Sequence, residues 1–257
     1  MIVCLDSGNS RIKWGIHDGR AWLAQGAASH ADCAQLAALP AAWPLPEQVL
    51  LANVAGDAAA QRIREQLSAW SPLLREVRSE FKCAGVTNLY QNPGRLGVDR
   101  WCALIGARRL SRAACLVVMA GTATTIDTLD ADGNFLGGLI LPGSHLMRRA
   151  LARDTAGLPF ADGHYTVHPR GTDDAIVSGA LEAQAGAIER AFGRLPGGDA
   201  VCLLSGGNAG ELADRLVIPH VLVENLPLEG LRQIALDDGK TPQGSAIPAF
   251  PGWPDLS

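Results

Sequence analysis

Four apolar positions, Ile2 to Leu5, run into Asp6, and Ser7, Gly8, Asn9 and Ser10 follow as a run of small hydrogen-bonding residues. An apolar stretch that ends in turn formers predicts a buried strand entering a tight turn. A second alternating stretch then leads to Asp18-Gly19 and a third extended run, AWLAQGA. Asp-Gly between alternating segments predicts a hairpin. The same order of events returns at Leu116 to Asn134: four apolar residues, a turn containing Gly121, an alternating stretch, Asp132-Gly133, and the extended run FLGGLILPG. Two three-stranded meanders of like design, about 113 residues apart, predict two halves built on one plan.

Between the meanders lie a proline-rich connector, LPAAWPLPEQ, and a buried strand predicted over Val49 to Val54. Helical spacing of apolar residues predicts helices from about Asp57 to Trp70 and from about Arg100 to Ser111, the latter through Trp101, Leu104, Ile105 and Leu110. In the second half, Ile176, Leu181, Ala185 and Ile188 predict a long helix from Asp173 to Phe192, and Ala200 to Leu204 predicts a strand ending in SGGN. The tail KTPQGSAIPAFPGWPDLS is rich in Pro and Gly and is expected to be irregular. Meander, helix and further strand, stated twice, predict an α/β architecture.

Composition narrows the function. The chain has 257 residues, 47% hydrophobic and 19% charged, which supplies a core and excludes general disorder. A net charge of −4 argues against a broad basic surface for nucleic acid. Arg108, Arg109 and Arg112 read as a solvated face that suits a helix C-terminus. Six cysteines include no CxxC pair and several sit in apolar runs, so neither a zinc centre nor a disulfide framework is expected. No basic leader and no apolar run of about 20 residues is present, so a soluble intracellular protein is expected. None of the six histidines stands at metal-ligand spacing, and Trp14, Trp22, Trp43 and Trp70 read as packing residues.

The two glycine turns carry the candidate chemistry. If the halves pack together, both turns face a common cleft, where Gly8 and Gly121 let the backbone approach phosphate oxygens. Asn9, Ser10, Thr122 and Thr124 add side-chain donors, and Asp6 suits Mg²⁺ through water. Either turn alone reads equally well as an ordinary hairpin; their pairing favours the phosphate reading. No GxGxxG follows a strand, which disfavours a dinucleotide fold.

Five blocks, DSGNSRIKWG (Asp6 to Gly15), GRLGVDRW (Gly94 to Trp101), GTATTID (Gly121 to Asp127), GGLILPG (Gly137 to Gly143) and SGGN (Ser205 to Asn208), together resemble the type III pantothenate kinases. That family belongs to the acetate kinase/sugar kinase/heat-shock protein/actin superfamily, and the blocks stand in the family's order over roughly Met1 to Leu222. The resemblance implies two ribonuclease H-like (actin-like ATPase) domains, residues 1–112 and 113–257, with an active-site cleft between them. It implies ATP-dependent phosphorylation of pantothenate to 4'-phosphopantothenate, the first step of coenzyme A synthesis, by a cytoplasmic homodimer with its substrate pocket near the interface. In this reading Asp6, Ser7, Gly8, Asn9, Ser10, Arg11, Ile12 and Lys13 form the first phosphate loop, and Thr122 lies in the second. Asp99 is the general base; Tyr90, Gly97, Val98 and Arg100 line the substrate, Thr172 contacts pantothenate, and SGGN matches the adenosine loop.

One departure stands out. Where the family usually has an aspartate that helps bind potassium or ammonium, this chain has Met119, and a thioether is a poor ligand for a hard cation. Asp99 also has a plainer reading as an N-cap of the helix predicted from Arg100, and Asp127 is a rival carboxylate that reads equally well as a hairpin-side residue. Two other functions fit the pattern. One is a sugar kinase or phosphoanhydride phosphatase of the same superfamily. The other is an ATP-binding regulatory or accessory protein with reduced kinase activity, to which Met119 lends weight and against which the pair Asp6 and Asp99 speaks.

Overall fold

The structure is a computed structural model and describes residues 1–238; the tail expected to be irregular lies outside the described residues. The elements follow in the order β1 (Ile2–Ser7), β2 (Arg11–His17), β3 (Trp22–Ser29), α1 (Ala38–Ala42), β4 (Gln48–Asn53), α2 (Asp57–Gln66), β5 (Leu74–Glu76), β6 (Lys82–Cys83), β7 (Val86–Asn88) and α3 (Val98–Leu110). Then come β8 (Cys115–Ala120), β9 (Ala123–Leu129), β10 (Asn134–Pro142), α4 (Ser144–Asp154), α5 (Thr172–Phe192), β11 (Val201–Ser205), α6 (Ala209–Ala213), β12 (His220–Leu222) and α7 (Leu226–Asp238). The chain forms two compact units. The first takes Met1–Arg112, Gly133–Phe135 and the segment from Asn225; the second takes Ala113–Asp132 and Leu136–Glu224.

The first unit is built on a sheet of order β3-β2-β1-β4-β5. β1 is antiparallel to β2 and parallel to β4, and β4 is parallel to β5. β1 is buried along its whole length, as expected for a central strand with both faces covered. One face packs Val3, Leu5, Ile12, Ile16, Leu51 and Trp70 with Ile63 of α2 into a single apolar cluster. On alternation, Cys4 and Asp6 belong to the opposite face. The helix predicted to reach Trp70 stops as α-helix at Gln66 and continues as a 3-10 turn over Ser68–Leu73. Pro72 in that turn has no N–H to donate and would clash with a helical carbonyl four residues back.

The second sheet has seven strands in the order β12-β11-β8-β9-β10-β7-β6, and its run β10-β9-β8-β11-β12 repeats the order of the first sheet. β8 pairs antiparallel with β9 and parallel with β11, as β1 does with β2 and β4. The repeat seen along the sequence is therefore a repeat of topology, and the mixed α/β class follows. Leu116, Val118 and Ile126 of the sheet pack with Leu181, Ala185 and Ile188 of α5 and Leu212 of α6. Among the described residues α7 groups with the first unit rather than the second.

Within the first unit α7 packs on α3 backbone to backbone. A Cβ placed on Gly230 would overlap the carbonyl oxygen of Cys102, and one on Gly106 would stand 2.5 Å from the carbonyl oxygen of Leu226. Glycine at both positions is a condition of the crossing, since overpacking a close contact costs about 1–3 kcal/mol. Gly186 in α5 is the opposite case, with nothing within 4 Å of the added carbon. Gly230→Ala should lower unfolding stability by about 2 kcal/mol or more, whereas Gly186→Ala should raise it by about 0.5–1 kcal/mol through helix propensity. Urea denaturation of the two variants checks both signs.

Candidate active site

Asp6 and Ser7 close β1, and the chain turns at Gly8, whose amide donates to the carbonyl of Arg11 at 3.1 Å. His30 donates from its ring to the carbonyl of Gly8 at 2.7 Å, and the Val54 amide donates to the carbonyl of Ser7 at 3.0 Å. Asn9, Ser10 and Arg11 are exposed at the tip; Ile12 is buried in the core, so only its main chain is available to a ligand. Lys13 lies opposite Asp6 in the strand register. The side chains of Asp6 and Ser7 are both buried, and Asp6 Oδ1 and Ser7 Oγ have no hydrogen-bond partner. Leaving a buried polar atom unpaired costs about 1–3 kcal/mol, so a fold that tolerates two in succession is keeping them for a ligand. Burial, and then the charge of Asp99, push the Asp6 carboxyl up to about 7, with Lys13 pulling the other way. A buried carboxylate oxygen without a protein partner suits Mg²⁺, which takes one or two carboxylates and completes its shell with phosphate and water.

Asp99 is the second residue of α3, not its N-cap: the helix begins two residues earlier than its apolar spacing predicts, and Gly97 is the cap. Asp99 Oδ1 accepts the amide of Arg100 at 2.9 Å. A Cβ on Gly97 would stand 2.6 Å from that same oxygen, so glycine at 97 is what leaves the carboxylate its place. The next residue, Arg100, is buried and donates from Nη1 to the Tyr90 hydroxyl at 3.1 Å. Its guanidinium carbon lies 5.7 Å from the Tyr90 ring centre and 5.9 Å from that of Phe135. The first unit thus brings together Asp6 to Lys13, Tyr90 and Gly97 to Arg100. Phe135 and Asn88 beside them escape a sequence reading, because they sit in short stretches with no periodicity to mark them.

The second unit carries the remaining predicted residues. Three turns converge on Gly121 and Thr122 at the end of β8. The Gly143 amide donates to the Thr122 carbonyl at 2.9 Å, and the Asn208 amide donates to the Ala120 carbonyl at 3.1 Å. Side chains at Gly143 or Gly206 would overlap the carbonyls of Gly121 and Ala120 respectively. GTATT, LPG and SGGN are therefore one structural cluster, with the Thr122 side chain exposed on it. Met119 lies opposite Thr125 on β9 and Ser205 on β11. A thioether is a poor ligand for a hard cation. Asp127 is fully buried in β9. Thr172 opens α5 and is exposed; it lines a groove of about 780 Å³ with Met147, Leu151, Ala175, Ile176 and Gly179. No residue of α4 is buried, although the helix is amphipathic. Its apolar Leu146, Met147, Ala150 and Leu151 are the signal by which this helix is legible in the sequence.

A family profile for type III pantothenate kinases matches residues 2–194. The chain is 67% identical over 236 residues to the type III pantothenate kinase of Dechloromonas aromatica (strain RCB), covering 92% of this chain and 99% of that one. It is 54% identical over 241 residues to the type III pantothenate kinase of Aromatoleum aromaticum, covering 93% and 99%. Among solved structures it is similar to a Campylobacter jejuni protein assigned to the Baf family of transcriptional activators, with a TM-score of 0.62, 18% identity, and coverage of 92% and 98%. It is also similar to the activator of 2-hydroxyisocaproyl-CoA dehydratase from Clostridium difficile with bound ADPNP, with a TM-score of 0.52, 13% identity, and coverage of 95% and 99%. Likeness at these identities speaks for the fold alone.

Asp6 makes a prediction about pH. Its carboxyl titrates near 7 in the folded chain against 3.8 ordinarily. The folded chain therefore keeps a proton that the unfolded chain has released, and the contribution of Asp6 to stability falls as pH rises from about 4 to about 7. Asp6→Asn removes that dependence. The variant should match the parent near pH 4 and exceed it near pH 8 by on the order of 3 kcal/mol, as measured by urea denaturation without nucleotide.

Proposed function

Because the chain belongs to the type III pantothenate kinase family, we propose that Asp99 is the base for attack by the primary hydroxyl of pantothenate on the γ-phosphorus of ATP. The protein phosphorylates pantothenate to 4'-phosphopantothenate and so opens coenzyme A synthesis. The observation that carries the catalytic reading is the pairing, within one unit, of a buried unpartnered carboxylate at a strand end with a second carboxylate on the first turn of α3.

The hydroxyl proton passes to Asp99 as the new O–P bond forms, and the bond from the γ-phosphorus to the bridging oxygen breaks to release ADP. Phosphoryl transfer asks for alignment and charge neutralisation more than for covalent work. Gly97 and the Arg100 amide fix where the Asp99 carboxylate stands. Tyr90, Gly97, Val98 and Arg100 hold pantothenate, with Thr172 as a further contact. Asp6 would hold Mg²⁺, which when bound with ATP offsets the charge of the phosphates. The Gly8 turn, with Ser7, Asn9, Ser10, Arg11 and Lys13 and the main chain of Ile12, takes the phosphates, and Thr122, on the turn cluster of the second unit, is a further phosphate-binding candidate by family resemblance. Met119 does not fit the monovalent cation, and no step depends on one.

The unburied apolar face of α4, the groove that holds Thr172, and exposed Leu139 and Ile140 on β10 support a homodimer, and the metabolic role of the family supports a place in the cytoplasm. Among the described residues no helix is long and apolar enough to cross a membrane.

Asp99→Asn should reduce pantothenate-dependent ADP formation by about 10³-fold while the melting temperature stays near that of the parent; near-normal turnover in this variant refutes the base assignment. Replacing K⁺ by Na⁺ or tetramethylammonium at constant ionic strength should leave the parent rate within about twofold. A rate that depends steeply on K⁺ or ammonium would show that another donor set replaces the lost aspartate.

A further inference from the structure

Asn88 ends β7 fully buried. An amide in that position is costly unless its polar atoms are paired. Its Oδ1 accepts the Tyr90 amide at 3.1 Å, and its Nδ2 donates to the carbonyls of Pro93 at 3.1 Å and Glu80 at 3.3 Å. Two of these bonds tie down the loop between β7 and α3 at Tyr90 and Pro93; the third ties Asn88 to the irregular segment just before β6. Phe135 is the register partner of Asn88 across β7 and β10, and its carbonyl accepts the Leu89 amide at 3.2 Å. The Phe135 side chain is also fully buried, with its ring centre 5.1 Å from that of Tyr90 and at a 39° tilt.

We infer that Asn88 and Phe135 are positioning residues for pantothenate: the Asn88 amide fixes the Tyr90 loop, and the Phe135 ring is the floor on which Tyr90 and Arg100 rest. The chain of contacts is continuous, from the Asn88 carboxamide to the Tyr90 backbone, from the Tyr90 hydroxyl to Arg100, and along the helix to Asp99. A buried guanidinium holds one direction only when what surrounds it is rigid, and two rings supply that here. Neither residue touches the phosphate turn, so loosening them acts on the alcohol substrate and spares ATP. This inference rests on the reading that Tyr90 and Arg100 contact pantothenate.

Steady-state kinetics of full-length Asn88→Ala, Phe135→Leu and Tyr90→Phe test it. Asn88→Ala and Phe135→Leu should each raise KM for pantothenate by about five- to tenfold, with KM for ATP and kcat within about twofold. A purely structural role predicts the reverse: less active protein, hence lower apparent kcat, at unchanged KM. If Asn88→Ala does not fold, Phe135→Leu, which keeps an apolar side chain, decides by the same split. If Tyr90→Phe raises KM for pantothenate and the other two do not, the positioning role is wrong and the substrate reading stands. If none of the three moves it, the substrate assignment of Tyr90 fails and the positioning role fails with it.

Discussion

Helix α3 cannot slide along α7 without driving one backbone into the other, and much of the first unit depends on that steric lock. Gly106 and Gly230 let the helices meet at main-chain distance, and Cys102, one turn beyond Asp99, is the point of closest approach. The first turn of α3 inherits this rigidity. It carries Asp99 and Arg100, the two side chains with most to lose from a loose helix. On the proposal that Asp99 is the base, its carboxylate must meet a hydroxyl along one direction, and the glycine crossing would then be part of the site's support.

Electrostatics then sets the two acids apart. Asp6 is enclosed at the end of a central strand, while Asp99 is half-buried on a helix start. Burial together with the neighbouring charge raises the first, and a metal ion with a polyphosphate is what would reverse that cost. The hairpin after β1 is strained by chemistry rather than by backbone geometry: buried Asp6 Oδ1 and Ser7 Oγ lack partners, yet Gly8 has an ordinary φ.

The repeated meander could be read along the chain because Asp-Gly turns and strand alternation are local, and the two sheets follow the same strand order. The helices expected near Arg100 to Ser111 and Asp173 to Phe192 are legible for the same reason, to within two residues at their ends, whereas α2 stops four residues before Trp70 and α4 and α7 are not anticipated. The plainer reading of Asp99 as an N-cap fails because Gly97 and Val98 give no periodic signal, and a glycine cap makes no side-chain bond to betray itself. The return of α7 to the first unit rests on contacts between residues more than a hundred positions apart, which no window of sequence contains. Gly106 and Gly230 look like ordinary helix-weakening glycines until the partner backbone is seen. Tyr90 and Thr172 came from family resemblance and not from their own spacing; Asn88 and Phe135 came from neither, since two-residue pairings leave no pattern.

The placement of α7 has a consequence for how the protein is made. As the chain leaves the ribosome, the hairpin after β1 emerges first and α3 follows, but the helix that covers Cys102 and Gly106 comes only after the whole second unit has been synthesised. Until then the apolar side of α3 and the buried end of β1 have no lid. A chain ending short of residue 226 would keep the packing of α3 on the sheet side but lose the glycine crossing with α7, leaving apolar surface of α3 uncovered while the second unit is still being made.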